Sequence, residues 1–201
     1  MTTLKQTPLK QTPSQTVGPY FAYGLCPQQY NYDLKSLFTP VVAEPEVPGT
    51  HITIIGNVFD GEGAAVNDAM IEMVQADASG RYVQSPAEIR ESGFRGFARC
   101  GTGTDAQSRF VIETIKPGRV DADSAPYIDV IVLMRGMLVH AFTRLYFDDE
   151  AAANAKDPVL AQVPEARRTT LVAKRVEGTS EHLYRFDIHM QGPDETVFFD
   201  V

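Results

Sequence analysis

The chain lacks several features that common classes of protein require. Its 201 residues include no tryptophan, two cysteines and four histidines. No stretch approaches the roughly 18 consecutive apolar residues of a membrane-spanning helix. The N-terminal stretch MTTLKQTPLKQTPSQT has no apolar core of a secretory signal peptide. A net charge of −8 argues against the basic surface that nucleic acid requires. We therefore expect a cytoplasmic protein that binds neither membrane nor nucleic acid.

The cysteines and histidines do not form a recognisable framework. Cys26 and Cys100 are interpreted as free thiols in a reducing cytoplasm, because two cysteines in a chain of this length are a poor disulfide scaffold. The four histidines are widely scattered, and no two stand at the spacing of metal ligands. A chain of this size with 43% hydrophobic residues can bury a core without a metal or disulfide.

The sequence divides near residue 50. Residues 1–50 contain more than half of the 13 prolines and are predicted to form an extended arm that packs on a partner chain. Within this arm, the stretch TVGPYFAYGL (residues 16–25) contains three aromatic residues, whose exposure to solvent would be unfavourable. It is expected to pack on the chain's own domain or on a partner. Residues 51–201 are predicted to be a single β-sandwich domain.

The second part of the chain has the pattern of an all-β protein. About nine short segments rich in β-branched and aromatic residues follow one another, with turn signals such as Asp60-Gly61 between them. This pattern predicts an antiparallel β-sandwich with one or two short helices. One helix is expected to begin with Asp148 as its N-cap and to end near Pro158.

The segment YIDVIVLM (residues 127–134) is almost continuously apolar and is predicted to be a strand covered on both faces. It ends at Arg135-Gly136. Burying an arginine at the end of a covered strand costs several kcal/mol in desolvation unless an anion pairs with it. Arg135 is therefore expected to face either a carboxylate of its own chain, such as Asp129 or Asp148, or a carboxylate of a ligand.

The chain carries a series of motifs in a fixed order: TPSQTVGPY (12–20), GNVFDGEG (56–63), IEMVQADASGRY (71–82), TIKPG (114–118), APYIDVIVLMRG (125–136), TRLYFDDEAAANAKDPVL (143–160), RRTTLVAKR (167–175), YRFDIHMQG (184–192) and ETVFFDV (195–201). Together these motifs resemble the intradiol ring-cleavage dioxygenases. The resemblance implies the β-sandwich fold of that family, with helices to one side. It also implies a catalytic chain that holds non-haem Fe(III) through two tyrosines and two histidines, since ferric iron prefers anionic oxygen donors.

The family's four iron-ligand positions are largely changed in this sequence. Tyr82 stands where the first tyrosine is expected, whereas Val120 or a near neighbour occupies the place of the second. The family's H-I-H tripeptide reads Tyr127-Ile128-Asp129 here. We therefore predict no metal site in this chain and interpret these positions as vestigial. One alternative stays open, in which Tyr82, Tyr127 and Asp129 form an unusual three-oxygen iron site.

The resemblance also implies how such a chain takes part in a reaction. The Fe(III) would belong to a partner β subunit, which cleaves protocatechuate (3,4-dihydroxybenzoate) with O2 to 3-carboxy-cis,cis-muconate. This chain would be the α subunit and would supply no catalytic residue. It would line the substrate pocket with Thr16, Gly18, Pro19, Tyr20 and Arg135, the last of these near the substrate carboxylate.

Other interpretations of the same residues remain open. The TVGPYFAYGL segment is also consistent with an interface anchor that never touches substrate. The chain as a whole is also consistent with an interaction or scaffold sandwich without a part in catalysis, or with a self-sufficient dioxygenase. Arg99, Arg109 and Arg144 are interpreted as ordinary arginines on the surface of the sheet.

Overall fold

The computed structural model describes residues 10–18, 20–178 and 182–200. Strands dominate this part of the chain, which confirms the mainly-β class. The strands are β1 His51–Phe59, β2 Met70–Val74, β3 Phe97–Gly101, β4 Arg109–Ile115, β5 Tyr127–Leu133, β6 Ala141–Phe147, β7 Val172–Arg175, β8 Leu183–Arg185 and β9 Ile188–His189.

The helices are all short, but they are more numerous than the one or two predicted. None of the helices within the described ranges is long and apolar enough to cross a membrane. The α-helices are α1 Phe21–Leu25, α2 Pro86–Ser92, α3 Ala151–Asn154 and α4 Pro158–Gln162, and the 3-10 helices are Asp148–Glu150 and Glu165–Leu171.

Helix α2 is absent from the sequence prediction, although its signal is present in SPAEIRES. Ser85 is the N-cap, and its hydroxyl accepts a hydrogen bond from the backbone N–H of Glu88 at 3.3 Å. Pro86 follows the cap, a position where its missing N–H costs nothing. Gly93 ends the helix in the left-handed conformation, with φ at 73°.

The helix expected from Asp148 to Pro158 is wrong in two respects. The segment begins as a 3-10 helix and continues into α3, which ends at Asn154. Pro158 then begins α4 rather than stopping a helix, because Asp157 is the N-cap of α4 and accepts hydrogen bonds from Val159 and Leu160.

The sheet is not a purely antiparallel sandwich. Its strands follow the order β3-β2-β5-β6-β7-β8-β1-β4, and β9 adds to β1. Three pairs are parallel: β6 with β7, β1 with β8 and β1 with β9. The remaining pairs are antiparallel. Strand β7 joins the two halves, and the end strands β3 and β4 lie near each other, so the sheet curls into an almost closed barrel.

The core lies inside this curled sheet. Alternate side chains of the strands point into it, among them Ile54, Ile71, Ile112 and Val130, all fully buried. Residues before position 50 also contribute, since Val42, Ala43 and Val47 belong to the same core. Whether residues 1–50 act as a separate arm on a partner chain stays a prediction.

Two apolar segments near the C-terminus, HLYRFDIHM (182–190) and ETVFFDV (195–201), are not continuous strands. HLYRFDIHM is interrupted between β8 and β9, where the Asp187 carboxylate accepts a hydrogen bond from the backbone N–H of Asn57 at 3.0 Å. The main chain approaches so closely here that a Cβ on Gly56 would lie 1.8 Å from the carbonyl oxygen of Phe186. ETVFFDV is not a strand in its described part, where only Phe199 forms a β-bridge, with Phe142. Val201 lies outside the described residues.

Candidate functional site

Tyr82, the first predicted ligand position, follows a tight loop that Asp77 organises. The Asp77 carboxylate accepts hydrogen bonds from the backbone N–H groups of Ser79 at 2.8 Å and Arg81 at 2.9 Å. Gly80 has a φ of +84°, and a Cβ there would lie 1.9 Å from the carbonyl oxygen of Arg119. Only glycine therefore lets this loop pack against the segment that carries Val120.

Replacing Asp77 with alanine should destabilise the fold, because the loop loses its side-chain acceptor. The side-chain hydrogen bond from Ser79 and backbone bonds hold the pKa of Asp77 below its usual range, although partial burial acts in the opposite direction. A loss of about 1–2 kcal/mol at pH 7 is expected, by analogy with the removal of a capping residue. Urea denaturation measures it.

The same substitution has a defined pH dependence. Because the pKa of Asp77 is lower in the folded state, its contribution is complete above the unfolded value of 3.8 and is lost as the pH falls through the folded value. The difference between wild type and Asp77→Ala should therefore shrink in acid. Asp33→Ala, which removes an exposed aspartate, is the control. A difference that stays constant down to pH 2 would contradict this account.

The two tyrosines at ligand positions lie side by side. The Tyr82 hydroxyl donates a hydrogen bond to the Tyr127 hydroxyl, with 3.1 Å between the oxygens. Burial raises the pKa of Tyr82 well above its usual range, and the hydrogen bond to Tyr127 and the charge of Asp129 act in the same direction. Val120 is half-buried in the neighbouring loop and offers no donor atom. The structure thus brings together Tyr82, Tyr127 and Asp129, with Val120 beside the loop.

Arg144 lies among these residues, which corrects its interpretation as an ordinary surface arginine. Its Nε donates a hydrogen bond to Asp129 Oδ1 at 2.9 Å. Its guanidinium carbon lies 3.9 Å from the centroid of the Tyr127 ring, a close cation–π contact. Burial raises the pKa of Asp129, and the charge of Arg144 partly offsets this effect. The arginine thus neutralises a half-buried carboxylate next to both tyrosines.

Strand β5, which carries Tyr127 and Asp129, is covered less completely than predicted. Ile128, Val130 and Val132 are buried on its inner face, whereas the residues between them are only half-buried. The prediction of a strand covered on both faces is therefore wrong for the outer face. A cavity of about 580 Å³ adjoins this face. Its lining includes Val74, Asp129, Ile131, Phe142, Arg144 and Phe199.

The predicted substrate-pocket residues come from two distant parts of the chain, and the structure joins them. The backbone N–H of Gly136 donates a hydrogen bond to the hydroxyl of Thr16 at 2.9 Å. Gly136 has a φ of +87°, consistent with the turn predicted at the end of β5. Gly18 is exposed, and Tyr20 is 75% exposed. Pro19 lies outside the described residues.

Arg135 forms an ion pair with Asp68, not with Asp129 or Asp148, the two partners that the sequence suggested. The Asp68 side chain is largely buried, whereas the Arg135 side chain is 58% exposed. The contact is made through Nε. The edge formed by the two Nη groups is one of the edges of a guanidinium that can meet a carboxylate in a bidentate manner. The sequence did not predict Asp68 as the partner of Arg135, because the residues around it (Asn67 to Met70) form no recognisable motif.

The TVGPYFAYGL segment leads into a stretch that packs partly on its own domain. The Gln29 side chain donates to the carbonyl oxygen of Gly101 at 2.7 Å and accepts from its N–H at 2.9 Å, so it pairs with the edge strand β3. Tyr23 packs edge-on against Tyr30. Several large apolar side chains nevertheless remain exposed here: Tyr20, Tyr32, Leu34 and Leu37.

Other metal-ligating side chains are not clustered. Within residues 10–18, 20–178 and 182–200, no group of three or more histidine, cysteine, aspartate or glutamate side chains could hold a metal ion. Cys26 and Cys100 are both buried and unbridged. Burial raises the pKa of Cys26 to about 11, so its thiol is a poor nucleophile at neutral pH.

Comparisons with known proteins agree with the motifs. A family model described as "Dioxygenase" matches residues 18–192. The protocatechuate 3,4-dioxygenase alpha chain of Burkholderia cepacia is 67% identical over 196 residues, which are 97% of this chain and 100% of that protein. The protocatechuate 3,4-dioxygenase beta chain of the same organism is 31% identical over 204 residues, which are 94% of this chain and 83% of that protein.

Solved structures show the same fold. The dioxygenase domain of a dioxygenase carbohydrate-binding protein fusion from Streptomyces sp. SirexAA-E superposes with a TM-score of 0.58 at 21% identity, covering 94% of this chain and 100% of that one. Sequence, fold and motifs lead to one assignment. The chain belongs to the dioxygenase family, as the resemblance of its motifs to the intradiol ring-cleavage dioxygenases predicted.

Proposed function

We propose that this chain is the α subunit, without iron of its own, of a protocatechuate 3,4-dioxygenase. The observation that carries the proposal is its nearly full-length identity of 67% to an alpha chain, against 31% to a beta chain of the same organism. The partner would be a β subunit that holds Fe(III). This cofactor would activate a catecholate for reaction with O2. The substrate would be protocatechuate, cleaved to 3-carboxy-cis,cis-muconate. The free, buried thiols of Cys26 and Cys100 support a place in the reducing cytoplasm.

The residues at the vestigial ligand positions do not fit a ferric ion as they stand. Ferric iron prefers anionic oxygen donors, but the Tyr82 hydroxyl keeps its proton and donates a hydrogen bond to the hydroxyl of Tyr127. The carboxylate of Asp129 is already bound to Arg144, and Val120 has no donor atom. We therefore derive no catalytic step through a metal in this chain.

The contribution of this chain to the reaction would be substrate binding. Thr16 lies against Gly136, so the N-terminal segment and the turn at Arg135 form one surface. Arg135 would bind the carboxylate of protocatechuate through its Nη groups, while Asp68 holds Nε and fixes the direction of the guanidinium. Gly18 and Tyr20 would complete this wall, and the exposed apolar side chains between residues 20 and 37 would face the β subunit.

The proposal is tested by separating the two chains and then combining them. The chain alone should open no aromatic ring, whereas the mixture with its β subunit should consume O2 and protocatechuate in equal amounts. The β subunit alone is the control that shows how much activity depends on this chain.

Two outcomes would contradict the proposal. Turnover of protocatechuate by the isolated chain would support a self-sufficient dioxygenase instead. A β subunit that is equally active with and without this chain would support a scaffold without a part in catalysis.

A further inference from the structure

We propose that Arg144 is a built-in cation that takes the place of a metal ion in this chain. In this proposal Tyr82, Tyr127 and Asp129 form a latent iron site, which opens when the charge of Arg144 is removed. The inference rests on the proposed function, because it explains how a chain of this family remains free of iron while keeping three oxygen-bearing side chains together.

The register of two strands places the arginine beside two of these residues. Asp129 on β5 lies directly opposite Arg144 on β6. Tyr127 lies two residues before Asp129, so both side chains are on the same face of the sheet. The Tyr82 hydroxyl reaches the same point from the loop, 3.1 Å from the hydroxyl of Tyr127.

Arg144 already binds the carboxylate that a metal cation at this place would need. Its Nε lies 2.9 Å from a carboxylate oxygen of Asp129, and its guanidinium carbon lies 3.9 Å from the Tyr127 ring centroid. A metal ion could bind Asp129 only by displacing the Arg144 guanidinium, since two positive charges at one carboxylate repel each other. The guanidinium keeps its charge at any physiological pH, so it does not release the site by losing a proton.

An ordinary cross-strand ion pair elsewhere in the sheet provides a matched comparison. Arg99 lies directly opposite Glu72 on β3 and β2, and its Nε lies 2.7 Å from the carboxylate. It also lies over two aromatic rings, those of Phe38 and Phe97. No tyrosine hydroxyl is among these described contacts. If a cross-strand arginine were only a structural partner, Arg144 and Arg99 should behave alike when they are replaced.

The experiment compares the full chain in three forms: wild type, Arg144→Gln and Arg99→Gln. Each is incubated with ferric citrate and desalted, and iron is then measured by elemental analysis and by the visible absorption of tyrosinate bound to Fe(III). Arg144→Gln should retain about one iron per chain, with the tyrosine protons released to the buffer on binding. Wild type and Arg99→Gln should retain almost none.

Two further variants identify the ligands and the role of charge. Arg144→Lys keeps a positive charge and should remain free of iron. Tyr127→Phe combined with Arg144→Gln should lose about half of the visible absorption, since one of the two tyrosinates is gone. Retention of the full absorption in this double variant would overturn the assignment of Tyr127.

The remaining outcomes are also decisive. A folded Arg144→Gln chain that stays free of iron would overturn the inference and leave the proposed function intact. If Arg144→Gln does not fold by itself, ferric citrate should restore its folding, and failure to do so would overturn the inference. Stoichiometric iron in the wild-type chain would overturn the proposed function as well.

Discussion

Replacing Arg135 with leucine in the complex with the β subunit is expected to raise the KM for protocatechuate about 10- to 100-fold. A hydrogen bond between charged groups contributes roughly 1.5–3 kcal/mol, and each 1.4 kcal/mol corresponds to a factor of ten. The iron content of the complex should not change, because the Fe(III) would be held by residues of the β subunit and not by Arg135. Steady-state kinetics with protocatechuate and elemental analysis measure the two quantities.

The ion pair with Asp68 makes a second variant necessary. Leucine at position 135 removes the substrate contact and also leaves the largely buried Asp68 carboxylate without its partner. Asp68→Asn keeps Arg135 but removes the charge that directs it, so it separates these two effects. It should raise KM less than Arg135→Leu does.

A matched control and a second substrate complete the test. Arg90→Leu removes another exposed arginine, from α2, and should leave KM unchanged. Plain catechol lacks the carboxylate, so Arg135→Leu should have little effect on its binding. If Arg135→Leu left the KM for protocatechuate unchanged, the arginine would not be a substrate contact.

The turn at the proposed substrate wall could be predicted from the sequence, because its signals are local. The end of an apolar strand at Arg135-Gly136 is marked by the residues themselves, and Gly136 indeed has a positive φ. The contact between Gly136 and Thr16 joins residues 120 positions apart, and only the folded chain shows it. Asp68, the partner of Arg135, belongs to no motif and was therefore missed.

Arg144 shows why the vestigial site was only half predicted. The motifs identified Tyr82, Tyr127 and Asp129 by their order along the chain. The cation beside Tyr127 and Asp129 comes from the next strand, 15 residues after Asp129, and its position depends on the register of β5 with β6. A shift of that register by one residue would turn Arg144 to the other face. Local sequence patterns do not fix such a register.

The parallel strand pairs were beyond prediction for a similar reason. Short segments with turn signals between them suggest antiparallel neighbours. Here β7 pairs in parallel with β6 only after two α-helices and two 3-10 helices intervene. Strands β8 and β9 then pair in parallel with β1, the first strand of the chain. The helical connection between β6 and β7 depends on Asp157. This residue was predicted to lie inside a helix, whereas it stands at the start of one.

Replacing Asp157 with alanine is expected to lower the free energy of unfolding by about 3–5 kcal/mol. The Asp157 side chain is buried and accepts four hydrogen bonds. Two come from the first turn of α4, and the loss of such a cap costs about 0.5–2 kcal/mol. The others come from the hydroxyl of Tyr146 and the backbone N–H of Ala125, which would remain buried without an acceptor at about 1–3 kcal/mol each.

The position of Asp157 links this loss of stability to the vestigial site. Ala125 precedes β5, and Tyr146 lies directly opposite Tyr127 in the register of β5 and β6. Asp157→Asn keeps an oxygen acceptor of the same shape, so it should cost less than half as much as alanine. Urea denaturation of the three proteins measures the difference, with the exposed Asp194 replaced by alanine as the control. If Asp157→Ala were no less stable than Asp157→Asn, these hydrogen bonds would not be what anchors β5 to α4.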